Sequence, residues 1–278
     1  MARFPAHVKP NCPPASVQVV GKLTCFLVLS VLPSHIKRVV MSLPRFAIAI
    51  FGCLLLALST SIAEDTKATA APANQLTAAE QTAGWKLLFD GKTTEGWRGY
   101  NKKDASGWVV KEGALYLEKP CSGDLITAEK FGDFELSLDW KFETGNNSGV
   151  IYRALETKGP SYITGPELQV TPQKASDKLG KNAGGSLYDL YAPTENAFQD
   201  GQEWVTYKVV AKGKHIEHWV NGKKVVDCDI GSDDWNTRYN GSKWAKAKEF
   251  AAAAEGHLCL QDHGAKILFR NVKIRVLK

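Results

Sequence analysis

The feature that most restricts the fold is the run Phe134-Glu135-Leu136-Ser137-Leu138-Asp139-Trp140-Lys141-Phe142, which alternates apolar and polar residues without a break. Consecutive side chains of a strand point to opposite faces, so such a run buries one face and wets the other. A helix would scatter the same residues around its circumference. Similar short runs recur at Trp85–Phe89, Trp108–Val110, Ala114–Leu117, Val150–Leu155, Leu168–Thr171, Trp204–Ala211, His215–Val220, Val225–Ile230, His257–Gln261 and Ile267–Ile274. Gly- and Asn-containing turns separate them, Asn221-Gly222 among these. Only Ser242–Ala253 has a helical character. The pattern predicts an all-β fold: a two-sheet antiparallel jelly-roll sandwich with one short helix and a concave face for a ligand. It shows no internal repeat and no second domain.

Before this region the chain has a different character. From Met41, Arg45 supplies a positive start, Phe46–Leu58 an apolar run too short to span a membrane comfortably, and Ser61-Ile62-Ala63 a small-x-small cleavage site. Residues 41–63 therefore read as a signal peptide cut before Glu64. Residues 1–40 read as a start codon placed too early, or as a leader. Residues 64–83, rich in Ala and Thr, read as a flexible linker, and residues 84–278 as the jelly-roll catalytic domain. The expected location is periplasmic or secreted, with no membrane attachment once the signal is removed.

The formal net charge of +6 carries no message about partners. Six of the 35 Lys and Arg, and no Asp or Glu, lie in residues 1–63, which leaves 29 of each sign in the rest. Nucleic acid is not an expected partner. Most of the eight Trp are expected in the core rather than under a sugar. Cys228 and Cys259 sit in strand-like runs, as small buried residues do.

Polar clusters interrupt the strands at Ser148–Arg153, Gly165–Gln169, Tyr188–Tyr191, Glu217–Trp219 and Gln261–Gly264. Strand alternation places Glu167 with Gln169, Asp189 with Tyr191, and Gln261 with His263. Together with Arg153 these could line one concave surface. Glu167, His263, Arg153 and Asp189 are the catalytic candidates, and Gln169, Gln261 and Tyr191 the substrate-binding ones. Carboxylates and amides grip sugar hydroxyls, Glu or His moves a proton near neutral pH, and Arg steadies an oxyanion. A structural alternative stands beside each role. Arg153 could pair with Glu167 or Asp189 in a solvated cross-strand bridge, Asp262 could cap the turn at Gly264, and Glu217 and His218 could straddle the sheet, one exposed and one packed.

The chain has no Ser-His-Asp, zincin, phosphate-loop or dinucleotide signature. Gln169 stands where a second carboxylate would follow Glu167 in a retaining-glycosidase strand, which argues against a two-carboxylate glycosidase.

In order along the chain, WKLLFDGKTTEGW at 85–97, SGVIYR at 148–153, GPELQV at 165–170, GSLYDLYAP at 185–193, EHWVNGKKVV at 217–226 and LQDHGAKILFRNVKIR at 260–275 resemble the 3-keto-disaccharide hydrolase family, also described as 3-keto-glucoside lyases and 2-hydroxy-glucal hydratases. The resemblance implies a concanavalin-like jelly roll and action on glucosides or disaccharides already oxidised at carbon 3. A base would remove the proton on carbon 2, and the aglycone would leave carbon 1. A divalent cation is a possible enolate stabiliser, with Glu167 and His263 as candidate ligands. Thr171-Pro172-Gln173 departs from the acidic pair that usually follows GPELQV in this family. A non-catalytic carbohydrate-binding module remains the alternative, since fold does not fix function.

Overall fold

A computed structural model describes residues 72–278. The expected leader, signal peptide and first part of the linker lie outside the described residues. The strands are β1 (Lys86–Leu87), β2 (Trp97–Gly99), β3 (Trp108–Lys111), β4 (Ala114–Leu117), β5 (Leu125–Thr127), β6 (Phe134–Thr144), β7 (Ser148–Ala154), β8 (Glu167–Val170), β9 (Val205–Lys212), β10 (His215–Val220), β11 (Lys223–Asp229), β12 (His257–Leu260) and β13 (Lys266–Val276). They form two antiparallel sheets. One runs β11-β10-β9-β6-β13-β4-β3, with β1 also paired to β13. The other runs β2-β5-β12-β7-β8. This is the sandwich that the alternation predicts.

The alternating run at 134–142 is β6, near the middle of the larger sheet. Its apolar residues Phe134, Leu136, Leu138 and Trp140 are buried, and Trp140 meets Phe142, Phe198 and Tyr207 edge-on at 5.5, 6.3 and 5.4 Å. Such contacts add to the burial of area that holds the two sheets together. Trp97, Trp108, Trp140, Trp235 and Trp244 are buried, so most Trp do serve packing. Asn221 (φ 49°) and Gly222 (φ 80°) make the two-residue turn between β10 and β11, a geometry that favours this dipeptide because both φ values are positive. His218 is fully buried between the sheets, with Tyr152 Oη 3.0 Å from Nε2 and the Gly185 carbonyl 3.2 Å from Nδ1. Burial drives its pKa down to about 4. Cys228 and Cys259 are buried free thiols.

The helix lies elsewhere than expected. Residues 242–253 form a series of turns, and the longer helix is α2 at Asp233–Asn240, after the short α1 at Ala78–Thr82. Ser232 caps Trp235 N, and Asp233 and Asp234 occupy the first turn, where the helix dipole favours acidic groups. These local signals outweighed the alanine-rich composition that follows.

The expected linker is held from Asn74 onward. Asn74 and Asn271 exchange hydrogen bonds through backbone and side-chain amide groups at 2.6 and 2.9 Å, and Asn74 Nδ2 donates to Gly113 O at 2.7 Å. α1 follows, with a reciprocal Thr77–Glu80 capping box. Among the described residues no helix is long and apolar enough to cross a membrane.

Candidate active site

The outer face of the five-stranded sheet floors a cleft of about 920 Å³. Glu167 and Gln169 project into it from β8, and Gln261 and His263 from the end of β12 and the turn beyond. Strand alternation predicted both pairs, and the structure brings them together. Leu168, Val170, Val150 and Tyr152, at the intervening positions, enter the core. The walls are the 157–163 loop, with Tyr162 and Ile163, and the 243–249 segment, with Lys243, Trp244 and Ala247.

Glu167 is only 6% exposed. Burial, partly offset by the Lys243 ammonium and by a hydrogen bond from Gln261, pushes its pKa up to about 8. Space for its carboxylate comes from Gly149, which lies two ladder positions away, opposite Gln169. Gln169 Nε2 donates to Asn147 Oδ1 at 2.9 Å. The amide oxygens of Gln169 and Gln261 are buried without a hydrogen-bond partner. Unpaired buried acceptors are costly, and here they stand beside the buried Glu167 carboxyl.

Arg153 is not part of this surface. Ala154 pairs with His257 and Ile151 with Cys259, so two β7 residues oppose the single Leu258. This is a β-bulge, and Arg153 occupies it at φ 52°. The extra residue breaks the alternation: Ala154 joins Ile151, Ile126 and Cys259 on the cleft side, while Arg153 turns away from the cleft toward Gly132, Asp133 and the turn between β9 and β10. There it donates to Gly132 O at 3.0 Å and Gly213 O at 2.7 Å and pairs with Asp133 at 3.1 Å. It is a structural clamp, with a partner different from the carboxylates considered in the sequence.

Asp189 and Tyr191 are corrected as well. The Tyr188–Tyr191 stretch is a turn, in which Leu190 N and Tyr191 N both reach Leu187 O and Asp189 takes φ 64°. A period of two does not hold there. Tyr191 is buried against Trp235, 6.2 Å between rings, with Arg238 over its face. Asp189 Oδ2 accepts from Lys243 N at 2.9 Å, anchoring the wall instead of lining the cleft. Tyr188 lines it instead.

Sequence reasoning also missed Asp124. Its carboxylate, just before β5, accepts from Ser161 Oγ at 2.5 Å and Asp262 N at 2.8 Å, joining the 157–163 loop to the turn that carries His263. Burial raises its pKa. No period could have flagged it, because β5 is three residues long. Asp262 caps Gly264 N, as its position suggested, and also holds Cys121 N and Gly123 N.

Among the described residues, the His, Cys, Asp and Glu groups that converge as a ready metal cluster are His215, Glu217 and Asp227, on the larger sheet and away from the cleft. Lys224 already neutralises Glu217 and Asp227 there. In the cleft itself the donors are the Glu167 carboxylate, the His263 imidazole and the two unpaired amide oxygens. With a single buried carboxylate and an imidazole among them, they do not make a ready site for a hard divalent cation.

Residues 84–275 match the 3-keto-alpha-glucoside-1,2-lyase-like domain. The chain is 33% identical over 229 residues to a 3-keto-disaccharide hydrolase of Bacteroides thetaiotaomicron, covering 70% of this chain and 79% of that one. A crystallised Parabacteroides distasonis protein assigned as a glycosyl hydrolase superposes with a TM-score of 0.67 at 33% identity, covering 74% of this chain and all of its own. A second such protein from the same organism gives 0.53 at 25% identity, covering 69% of this chain and 99% of its own.

Proposed function

The chain belongs to the 3-keto-alpha-glucoside-1,2-lyase-like domain family, and from that premise we propose that it is an exported enzyme cleaving the glycosidic bond of glucosides or disaccharides already oxidised to a ketone at carbon 3. The observation that carries the reading is the single buried carboxylate of the cleft, Glu167, poised near neutral pH. The other carboxylate on the lining, Glu249, is exposed. One base without a buried partner suits elimination next to a ketone better than two-carboxylate hydrolysis of an unactivated acetal.

The ketone acidifies the proton on carbon 2. Ionised Glu167 takes that proton, and the C–H electrons form the carbon 2–carbon 3 double bond of an enolate. Return of those electrons re-forms the ketone, makes the carbon 1–carbon 2 double bond and expels the aglycone oxygen, which takes a proton from His263. Water adding back at carbon 1, with Glu167 returning its proton to carbon 2, gives the 3-keto sugar. Gln169 and Gln261 line the cleft beside Glu167, where substrate hydroxyls would be held.

Export is supported by Arg45, the Phe46–Leu58 run and Ser61-Ile62-Ala63, and predicts a mature protein beginning at Glu64. For the chemistry, the purified protein is mixed with a 3-keto-glucoside and with its unoxidised parent, and aglycone release is followed by NMR. Cleavage of the ketone alone is expected. Equal cleavage of the parent, or binding without turnover as in a carbohydrate-binding module, would overturn the reading.

A further inference from the structure

Four lysines line the cleft: Lys158, Lys243, Lys246 and Lys248. Lys243 is set apart by how it is mounted. Its backbone N–H is fixed by Asp189 Oδ2 at 2.9 Å. Its ammonium lies 4.1 Å from the centre of the Tyr188 ring, 4.3 Å from that of Trp244 and 6.0 Å from that of Tyr162. The rings are themselves braced: Trp244 stacks on Phe250 at 4.6 Å and donates through Nε1 to Tyr188 O at 3.3 Å. Aromatic faces stabilise a cation that has lost part of its water, so this cage presents a charge and limits its wandering. Of the four, Lys243 is the lysine whose charge couples to Glu167.

The proposed elimination needs a positive group where the carbon 3 oxygen becomes negative. Arg153 was the sequence candidate, and the β7 bulge removes it from the cleft. Resting on the 3-keto-glycoside reading, we propose that Lys243 is a catalytic residue whose ammonium donates a hydrogen bond to the carbon 3 oxygen and holds the enolate formed when Glu167 takes the carbon 2 proton. The ammonium keeps its protons throughout. The charge travels from the Glu167 carboxylate to the substrate oxygen and back, and Lys243 remains beside both ends of that path. The same placement explains why the cage belongs in the wall facing Glu167: a cation there favours the ionised base before the step and the ionised substrate after it.

Although Lys243 as a residue is exposed, partial desolvation of its ammonium pushes it below the usual lysine range, with Glu167 and Asp189 opposing that effect. Asp124 acts on Glu167 with the opposite sign to Lys243. Glu249 and His263 are the remaining ionisable groups of the lining beside the other lysines and the two tyrosines.

The test compares wild type, Lys243→Met and Lys243→Arg on a 3-keto-glucoside, reading kcat, KM, the pH profile of kcat/KM and exchange of the carbon 2 proton in deuterated water. Lys243→Met is expected to lower kcat and the exchange rate together by about 10²–10³-fold, with KM changed far less. It should also move the acidic limb of the profile to higher pH, because Glu167 loses the cation that favours its ionised form. Lys243→Arg keeps the charge and is expected to recover part of both. A thermal melt shows whether each variant is folded. Wild-type turnover with an unchanged kcat and limb in folded Lys243→Met would overturn the assignment while leaving the 3-keto-glycoside reading intact. No turnover by wild type would bring down that reading itself. Capture of the substrate on Lys243 by borohydride would replace the ion contact with a covalent imine and would also overturn the proposal.

Discussion

Gly149 makes room for Glu167: a Cβ at position 149 would stand 2.6 Å from Glu167 Oε1 and 2.9 Å from its Cδ and Cγ. The atoms in the way belong to the end of a side chain and not to the backbone, so the sheet can accept alanine by displacing the carboxylate. Gly149→Ala should therefore cost little stability, within about 1 kcal/mol, while lowering kcat about a hundredfold through misplacement of the base. Steady-state kinetics beside a urea titration checks this. A variant that loses stability and keeps kcat would place the base elsewhere.

Glu167 must be ionised to accept a proton, and its pKa is pushed up to about 8. kcat/KM on a 3-keto-glucoside should rise with a slope of about one below pH 8 and level off above it. Glu167→Gln should lower turnover by about 10²–10⁴-fold and abolish that limb.

The same shift has a consequence for stability. Because the folded value lies above the ordinary value of 4.5, the fold holds the proton more tightly than the unfolded chain does. The associated stability is complete below about pH 4.5 and is lost as pH rises toward 8. Glutamine does not ionise, so the Tm of Glu167→Gln relative to wild type should climb between pH 5 and pH 8. A difference that stays constant across this range would contradict a buried, perturbed carboxyl.

Arg153→Ala should separate clamp from catalyst. It removes donors to Gly132 O and Gly213 O and the Asp133 pair from a buried position. A loss of roughly 2–3 kcal/mol is expected, with kcat of the folded protein within about threefold of wild type. A large fall in kcat without destabilisation would return Arg153 to the site.

His218 gives an acid-stability signature unconnected with the cleft. Its pKa falls from 6.5 to about 4 on burial, so the unfolded chain takes up the proton first as pH drops. Stability on the order of 3 kcal/mol is lost progressively between about pH 6.5 and 4. Urea midpoints at pH 7 and pH 4.5 should differ less for His218→Gln than for wild type.

The parts of this architecture visible in the sequence are those governed by a simple period. β6, β9, β10 and β13 are long enough for alternation to declare them, and the pairs Glu167–Gln169 and Gln261–His263 follow from the same rule. The rule failed wherever the backbone left it. The bulge at Arg153 is created by pairing with β12, some hundred residues away in sequence, and the Tyr188–Tyr191 turn depends on Leu187 bridging to Leu168. β2 and β5 are too short to show a period, so Asp124 at the start of β5 went unnoticed. Lys243 fell in a segment read as helix, where its role depends on rings from two other loops.

The cleft's wall at 243–249 is pinned through Asp189, Tyr188 and, just beyond it, by Ala251 N to Thr164 O, yet it belongs to no strand. Its length and composition can change without shifting a single rung of either ladder. Floor and ceiling are thus separately heritable: a lineage can graft a taller or narrower ceiling over the same glutamate and glutamines. Under the proposed reaction, such a change would alter which leaving groups fit while Glu167 and the two glutamines stay in place.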